Sequence, residues 1–168
     1  MNVVRCTDSD KIIVGIGEMK ISDDCDRDII TYSLGSCLGV TIFDPVANVG
    51  GMIHIVLPDS SIQKNNPQIN PYMFVNTGIP RFFKAAYNLG ATKNNITVKV
   101  AGGAEIQQVK NIFNIGSRNI QSLENLLVKN NVFIRKREVG GSISRTVRLN
   151  MKTGAVTISS PDMENRIL

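Results

Sequence analysis

Two residues of this chain carry side chains that can act together in nucleophilic catalysis: Cys37 and the only histidine, His54. A thiol becomes a nucleophile near neutral pH when an imidazole within hydrogen-bond reach takes its proton. The two residues are far enough apart in the chain that the local fold must bring them together. The sequence between them indicates how this happens.

The sequence between Cys37 and His54 has the pattern of a β-hairpin. Apolar runs at Leu38–Phe43 and Gly51–Leu57 predict its two strands, and Asp44-Pro45-Val46-Ala47 has the residues of a type I turn. A turn centred on Pro45 and Val46 would pair Cys37 directly with His54, with Cβ atoms roughly 4.5–5.5 Å apart. A longer loop, extended through residues 48–50, would shift this register but keep both residues in one neighbourhood.

Thr31, Gly35 and Ser36 lie just before the candidate nucleophile. A threonine hydroxyl or carbonyl could hold the second imidazole nitrogen, which is the orienting role of Asp or Asn in other cysteine hydrolases. Gly35 permits a sharp turn, which would leave the backbone amides near Cys37 facing a developing oxyanion. Gly35 and Ser36 are therefore candidate supports for that oxyanion.

The same residues fit two other interpretations. Cys37 could be a small buried hydrophobe, with His54 and Thr31 as ordinary strand residues. Alternatively, Cys6 and Cys25 could join Cys37 and His54 in a Cys3His zinc site, although the sequence gaps are wide and unpaired. Spacing alone leaves these alternatives open.

Several motifs together resemble the signature of the CheD family, the chemoreceptor glutamine deamidases of bacterial chemotaxis. They occur in family order along nearly the whole chain: Gly15-Ile16-Gly17-Glu18, Thr31-x-x-Leu34-Gly35-Ser36-Cys37, Asp44-Pro45, Gly50-Gly51-Met52-x-His54, Leu57-Pro58, Gly102-Gly103-Ala104, Ile115-Gly116-Ser117-Arg118-Asn119, Gly140-Gly141 and Thr153-Gly154. In that family a Cys, a His and a Thr form the catalytic triad. The resemblance therefore implies Cys37, His54 and Thr31 as catalytic residues here.

The resemblance also implies an activity and its partners. The activity is hydrolysis of receptor glutamine side chains to glutamate through a thioester, with release of ammonia, and a receptor methylesterase side activity is possible on the same chemistry. The implied partners are the cytoplasmic domain of a chemoreceptor and a CheC-type phosphatase. The alternative is a non-catalytic regulatory module that binds CheC and the receptor. Hydrolysis of this kind requires neither a metal ion nor an organic cofactor.

Composition limits the remaining possibilities. A chain of 168 residues with 42% hydrophobic content suits one domain, so we expect a single deamidase domain over 1–168. Three cysteines without a C-x-x-C pair, and a start without a long apolar stretch, predict a reducing, cytoplasmic setting. The sequence contains no apolar run of the ~20 residues that a membrane span requires, so we expect no membrane insertion.

Many short strands and few helices are expected. The strands are predicted at Lys11–Gly17, Ile29–Leu34, Leu38–Phe43, Gly51–Leu57, Ile96–Ala101, Val132–Arg137, Ser142–Leu149 and Ala155–Ser159. One helix is predicted to begin with Pro80 in its first position and end at Gly90, and another begins near Ser117. This pattern favours an α+β fold of mainly antiparallel or mixed β-sheets flanked by helices. The resemblance implies the layered sandwich of bacterial toxin deamidases.

Basic side chains are concentrated in the last third of a chain whose formal net charge is +5. The cluster consists of Arg135, Lys136, Arg137, Arg145 and Arg148, on two strands that we expect to be neighbours. Aromatic residues make up only 5% of the chain and do not alternate with these cations, so we do not expect nucleic-acid binding. A solvated sheet face is one interpretation. The other is attraction to an acidic receptor bundle, with Arg135, Arg137 and Arg145 as candidate contacts.

Overall fold

The computed structural model describes residues 11–63, 68–105, 114–161 and 163–168. Its helices are α1 (Val75–Asn88), α2 (Ile115–Lys129) and two short 3-10 helices at Ser60–Gln63 and Pro71–Met73. Its strands are β1 (Lys11–Ile13), β2 (Met19–Ser22), β3 (Asp28–Leu34), β4 (Leu38–Asp44), β5 (Val49–Ile55), β6 (Thr97–Gly102), β7 (Ile134–Val139), β8 (Arg145–Leu149), β9 (Val156–Ser160) and β10 (Met163–Ile167). The predicted α+β class is confirmed.

The strands form two five-stranded sheets of mixed direction. The first sheet has the order β1-β3-β8-β9-β10, and the second has the order β2-β5-β4-β6-β7. One apolar core fills the space between the sheets, and another lies between the second sheet and the helices. Strands β4 and β5 are buried along their whole length because they contribute side chains to both cores. The second sheet is therefore the middle layer of the described fold.

The helices use their apolar faces to cover this middle layer. In α1 the buried side chains include Val75, Ile79 and Phe82, one turn apart, which is the spacing of a single helix face. The prediction that Pro80 occupies the first helical position is wrong, since α1 begins at Val75 and contains Pro80. The early start is stabilised by burial of Val75 in the core. Helix α1 does end just before Gly90, as predicted.

The hairpin between Cys37 and His54 forms, but with a register that differs from the expected one. Strand β4 pairs with β5 so that Asp44 lies opposite Val49 and Gly39 lies opposite His54. The direct Cys37–His54 pairing is therefore wrong. The reason is a four-residue loop in place of a two-residue turn, since Asp44 Oδ1 accepts hydrogen bonds from the amides of Val46 and Ala47, at 2.8 and 3.0 Å.

Two other expectations about strands are corrected. Strand β7 belongs to the second sheet and β8 to the first, so the basic residues do not lie on neighbouring strands. Strand β1 ends at Ile13, and residues 14–18 form a loop where a longer strand was predicted. No helix among the described residues is long and apolar enough to span a membrane.

Candidate active site

Thr31, Cys37 and His54 are brought together at one end of the space between the two sheets. Thr31 lies on β3 of one sheet and His54 on β5 of the other, and their exposed fractions are 0% and 1%. Alternation along β5 directs His54 to the same face as Met52, whose side chain is part of the core between the sheets. Cys37 packs against that same core from the start of β4.

The Thr31 hydroxyl is hydrogen bonded on both sides. It donates to the carbonyl oxygen of Val14 at 2.8 Å, and it lies 2.8 Å from Nδ1 of His54. A carbonyl oxygen accepts only, and a hydroxyl has a single proton, so the hydroxyl proton is committed to Val14. Nδ1 of His54 must therefore carry a proton and donate it to Thr31. This assigns the lone pair of the neutral imidazole to Nε2.

Nε2 of His54 is buried and has no hydrogen-bond partner among the described residues. Because Gly39 is directly opposite His54, Cys37 is its diagonal neighbour on the same face, roughly 7–8 Å away between backbone positions and within reach of a ring side chain. Gly39 presents no side chain between them. Catalytic hydrogen bonds are often long in ligand-free proteins and shorten when substrate binds.

Burial sets the charge state of both groups. Desolvation raises the pKa of the Cys37 thiol and lowers the pKa of the His54 imidazole from their ordinary values. At neutral pH both shifts favour a thiol beside an uncharged base over a preformed thiolate–imidazolium ion pair.

The turn formed by Gly35, Ser36 and Cys37, called the nucleophile turn below, is held in place through its carbonyl groups. The Gly35 oxygen accepts from the amide of Ala104 and the Cys37 oxygen from the amide of Gly103, both at 2.8 Å. The Ser36 oxygen accepts from Nδ2 of Asn119 at 3.0 Å. All three carbonyls are thus turned towards the segment after β6 and helix α2.

Comparison with known proteins identifies the family. The family model described as CheD chemotactic sensory transduction matches residues 56–160. The probable chemoreceptor glutamine deamidase CheD 1 of Syntrophus aciditrophicus is 46% identical over 149 residues, which cover 89% of this chain and 93% of that protein. The chain belongs to the CheD family. Relatives from Solibacter usitatus, 36% identical over 95% of this chain and 94% of that protein, and Anaeromyxobacter dehalogenans, 38% identical over 90% and 95%, are also named probable chemoreceptor glutamine deamidases.

The comparisons say less about the site itself. The range matched by the CheD family model begins after His54, so it does not include the three candidate catalytic residues. A solved structure, Neisseria meningitidis protein NMB0706, aligns with a TM-score of 0.42 and 9% identity over 79% of this chain and 61% of that one. Similarity this weak carries no argument. The roles of Thr31, Cys37 and His54 in this CheD-family chain therefore rest on the geometry of the site.

The basic residues of this CheD-family chain are not one patch. Arg145 is 6% exposed and donates to Oε1 of Glu138 at 3.2 Å, and Arg166 donates to the same oxygen at 2.7 Å. Arg137 is paired with Glu124 on α2. Arg135 and Lys136 are exposed and have no ion pair within the described part of the chain. Arg137 is exposed as well, so Arg135 and Lys136 differ from it in having no ion pair among the described residues.

Two groups at the site were not identified from the sequence. The carbonyl oxygen of Val14 fixes the Thr31 proton, but a backbone acceptor leaves no mark in side-chain types. Asn119 is 0% exposed and bonds to the nucleophile turn. Its signal was present, since Asn119, Leu123 and Leu127 follow one another at four-residue spacing along the buried face of α2, and only the first of them is polar.

The structure describes only some of the residues of the alternative zinc site. Cys6 lies outside the described residues, and Cys25 is exposed, whereas Cys37 is only partly exposed. Within the described ranges no three His, Cys, Asp or Glu side chains are grouped so that they could hold a metal ion.

Proposed function

We propose that this protein hydrolyses the side-chain amide of glutamine residues in chemoreceptors, leaving glutamate and releasing ammonia. Its relatives named probable chemoreceptor glutamine deamidases support the substrate class. The observation that carries the chemistry is the Thr31 hydroxyl, which accepts from Nδ1 of His54 while it donates to Val14. This arrangement leaves Nε2 as a base on the face that Cys37 shares.

In the first half-reaction, Nε2 of His54 takes the Cys37 proton as the sulfur attacks the carboxamide carbon of the substrate. The carbonyl oxygen gains negative charge, and the backbone amides of the Gly35-Ser36-Cys37 turn donate to it. The C–N bond then breaks, and the imidazolium returns its proton to the leaving nitrogen. Ammonia departs and a thioester between Cys37 and the receptor remains.

In the second half-reaction, water replaces ammonia beside His54. Nε2 takes one proton from the water, the oxygen attacks the thioester carbon, and the same backbone amides hold the oxyanion. The C–S bond breaks, the sulfur regains a proton from the imidazolium, and the substrate leaves as glutamate. All proton transfers in both halves use one nitrogen atom of this chain.

One finer proposal follows from the same chemistry. A receptor glutamyl methyl ester forms the same tetrahedral intermediate, so we include methylesterase activity as a side reaction. The cytoplasmic setting and the CheC-type partner stay predictions from the sequence. The alternative of a pure binding module is less economical, because such a module has no use for an oriented base beside a thiol.

The nucleophile is tested by substitution of single cysteines. Cys37→Ala should abolish conversion of glutamine to glutamate in a receptor cytoplasmic fragment, because no other group replaces the thiol. Cys25→Ala is the matched control and should react at the wild-type rate, since Cys25 is exposed and is not part of the site. Mass spectrometry of the fragment measures the conversion. Wild-type deamidation by Cys37→Ala would contradict the mechanism, and an inactive wild-type protein would contradict the function.

A further inference from the structure

Asn119 links three elements around the candidate nucleophile. It lies in the second turn of α2 and its side chain is fully buried. Its Nδ2 group donates to the carbonyl oxygen of Ser36 at 3.0 Å and to that of Val56 at 2.9 Å. One amide group therefore attaches both the nucleophile turn and the end of the His54 strand to helix α2.

The bond to Ser36 has a geometric consequence for the next residue. The carbonyl of Ser36 and the amide of Cys37 belong to one planar trans peptide unit, in which C=O and N–H point in opposite directions. When Asn119 holds the Ser36 oxygen on the helix side, the Cys37 N–H must point away from the helix. This is the amide nearest the sulfur.

The neighbouring peptide units are fixed by different donors. Backbone amides of Ala104 and Gly103 hold the carbonyls of Gly35 and Cys37. Only the central unit, which carries the Cys37 N–H, is held by a side chain. A substitution can therefore release this peptide without changing the backbone of the segment after β6.

We propose that Asn119 is a positioning residue that aims the Cys37 N–H at the oxyanion of the tetrahedral intermediate. This inference rests on the proposed deamidase function. The positioning role belongs to the Nδ2 group of Asn119, which donates both of its protons. The Oδ1 atom has no partner among the described residues. An apolar side chain of similar size would fill the space but leave two partly buried carbonyls without this donor.

The test separates oxyanion stabilisation from the integrity of the thiol. Loss of one oxyanion donor costs about 10²–10³ in kcat, so a misaligned donor in Asn119→Ala should lower kcat for receptor deamidation by about 10- to 100-fold with little change in KM. Alkylation of Cys37 by iodoacetamide forms no oxyanion and should proceed at the wild-type rate. It is measured in a Cys6→Ser/Cys25→Ser background, where Cys37 is the only thiol.

Ser122→Ala is the matched control. Ser122 is also on α2 and also donates to a main-chain carbonyl, that of Pro58 at 3.1 Å, but this carbonyl is outside the nucleophile turn. Its removal should leave kcat and alkylation unchanged. If Asn119→Ala does not fold, Asn119→Ser takes its place, because one short hydroxyl cannot serve both carbonyls.

The outcomes are distinct. A loss of kcat with normal alkylation supports the inference. Wild-type kcat in a folded Asn119 variant overturns it, and so does an equal loss of kcat and alkylation, which would indicate general disruption of the turn. If the wild-type protein itself does not deamidate the receptor fragment, the proposed function fails, whatever the Asn119 variants do.

Discussion

The tautomer of the His54 imidazole is set by a single hydroxyl group. Thr31 accepts a hydrogen bond from Nδ1 and donates one to the carbonyl oxygen of Val14, so the imidazole is oriented before any substrate binds. Burial then disfavours the charged forms of both His54 and Cys37. Both shifts favour an uncharged thiol and an uncharged imidazole in the resting site, with charge separation when the sulfur attacks.

The titration of His54 tests this charge state directly. The chain has one histidine, so its imidazole C–H resonance in an NMR titration is assigned without mutagenesis. We expect a midpoint below the ordinary value of 6.5, because burial opposes protonation. Cys37→Ser, which replaces the thiol with a group that does not ionise in this range, should leave the midpoint nearly unchanged. A midpoint above 6.5 that falls in Cys37→Ser would instead reveal a thiolate–imidazolium pair.

At the scale of elements, the nucleophile turn depends on the backbone conformation after β6. Gly102 has φ +110°, and a Cβ atom at this position would overlap the carbonyl oxygen of Cys37. The next amide, that of Gly103, donates to the same oxygen. The end of β6 thus approaches Cys37 as closely as a glycine permits.

A pair of glycine substitutions separates this close approach from backbone strain. Gly102→Ala and Gly90→Ala both place a side chain at positive φ, but Gly90 has no atom within 4 Å of the new Cβ. Strain of this kind costs about 1–3 kcal/mol at either position. Gly102→Ala should lower the free energy of unfolding, measured by urea denaturation, more than Gly90→Ala does. It should also lose deamidation by about 100-fold, since a displacement near 1 Å at a reacting group has this effect.

Gly90→Ala should retain the wild-type rate of deamidation, because Gly90 follows α1 and has no contact with the nucleophile turn. Equal losses of stability and rate in the two variants would show that the Gly102 contact with Cys37 has no special role.

The strands that carry the site are predictable from the sequence, whereas two of the four edge strands are not. Strands β3, β4 and β5 are apolar because they are buried, and the predicted runs match them closely. Strands β2 and β10 lie at sheet edges and were not predicted. Met19–Ser22 alternates apolar and polar residues over only four positions, which is too short to stand out, and Met163–Ile167 is exposed and shows no apolar alternation. Their positions depend on backbone pairing with strands that are distant in sequence.

The site shows the same division between local and distant information. Sequence patterns place Cys37 and His54 on one hairpin and suggest Thr31 as the partner of the second imidazole nitrogen, and the family resemblance implies the same three residues. The register could not be predicted, because two-residue and four-residue loops are both compatible with Asp44-Pro45. Asn119 was missed as a site residue because its contact with Ser36 joins positions that are distant along the chain.

At the scale of the whole molecule, the net charge of +5 includes cations that have different roles. Arg145 and Arg166 share Glu138 and join β8 and β10 of one sheet to β7 of the other. Arg135 and Lys136 are exposed and unpaired in the described structure. We expect only such exposed cations to attract an acidic receptor bundle over a distance.

Charge reversal tests this attraction. Arg135→Glu/Lys136→Glu should lower kcat/KM for receptor deamidation by about tenfold at low salt, because it removes electrostatic steering. The difference from wild type should narrow as salt rises, since the Debye length is only about 8 Å at physiological ionic strength. Arg137 is left in place because its substitution would break the ion pair with Glu124.

The matched control is Lys84→Glu/Lys129→Glu, which changes the net charge equally on the exposed surfaces of α1 and α2. This control variant should lower kcat/KM by less if the position of the charges determines the attraction. Equal effects of the two double variants would assign the attraction to net charge, and a loss that does not depend on salt would indicate a short-range contact.

The hydrogen bond that Thr31 donates to the carbonyl oxygen of Val14 also imposes an order of events. With Nδ1 held by Thr31, the imidazole exchanges protons at Nε2 alone. In the proposed mechanism the same atom must deliver a proton to the departing amine before it can take one from water. Hydrolysis of the thioester therefore waits for ammonia to leave, and the two half-reactions follow a ping-pong order that depends on the contact of Thr31 with Nδ1.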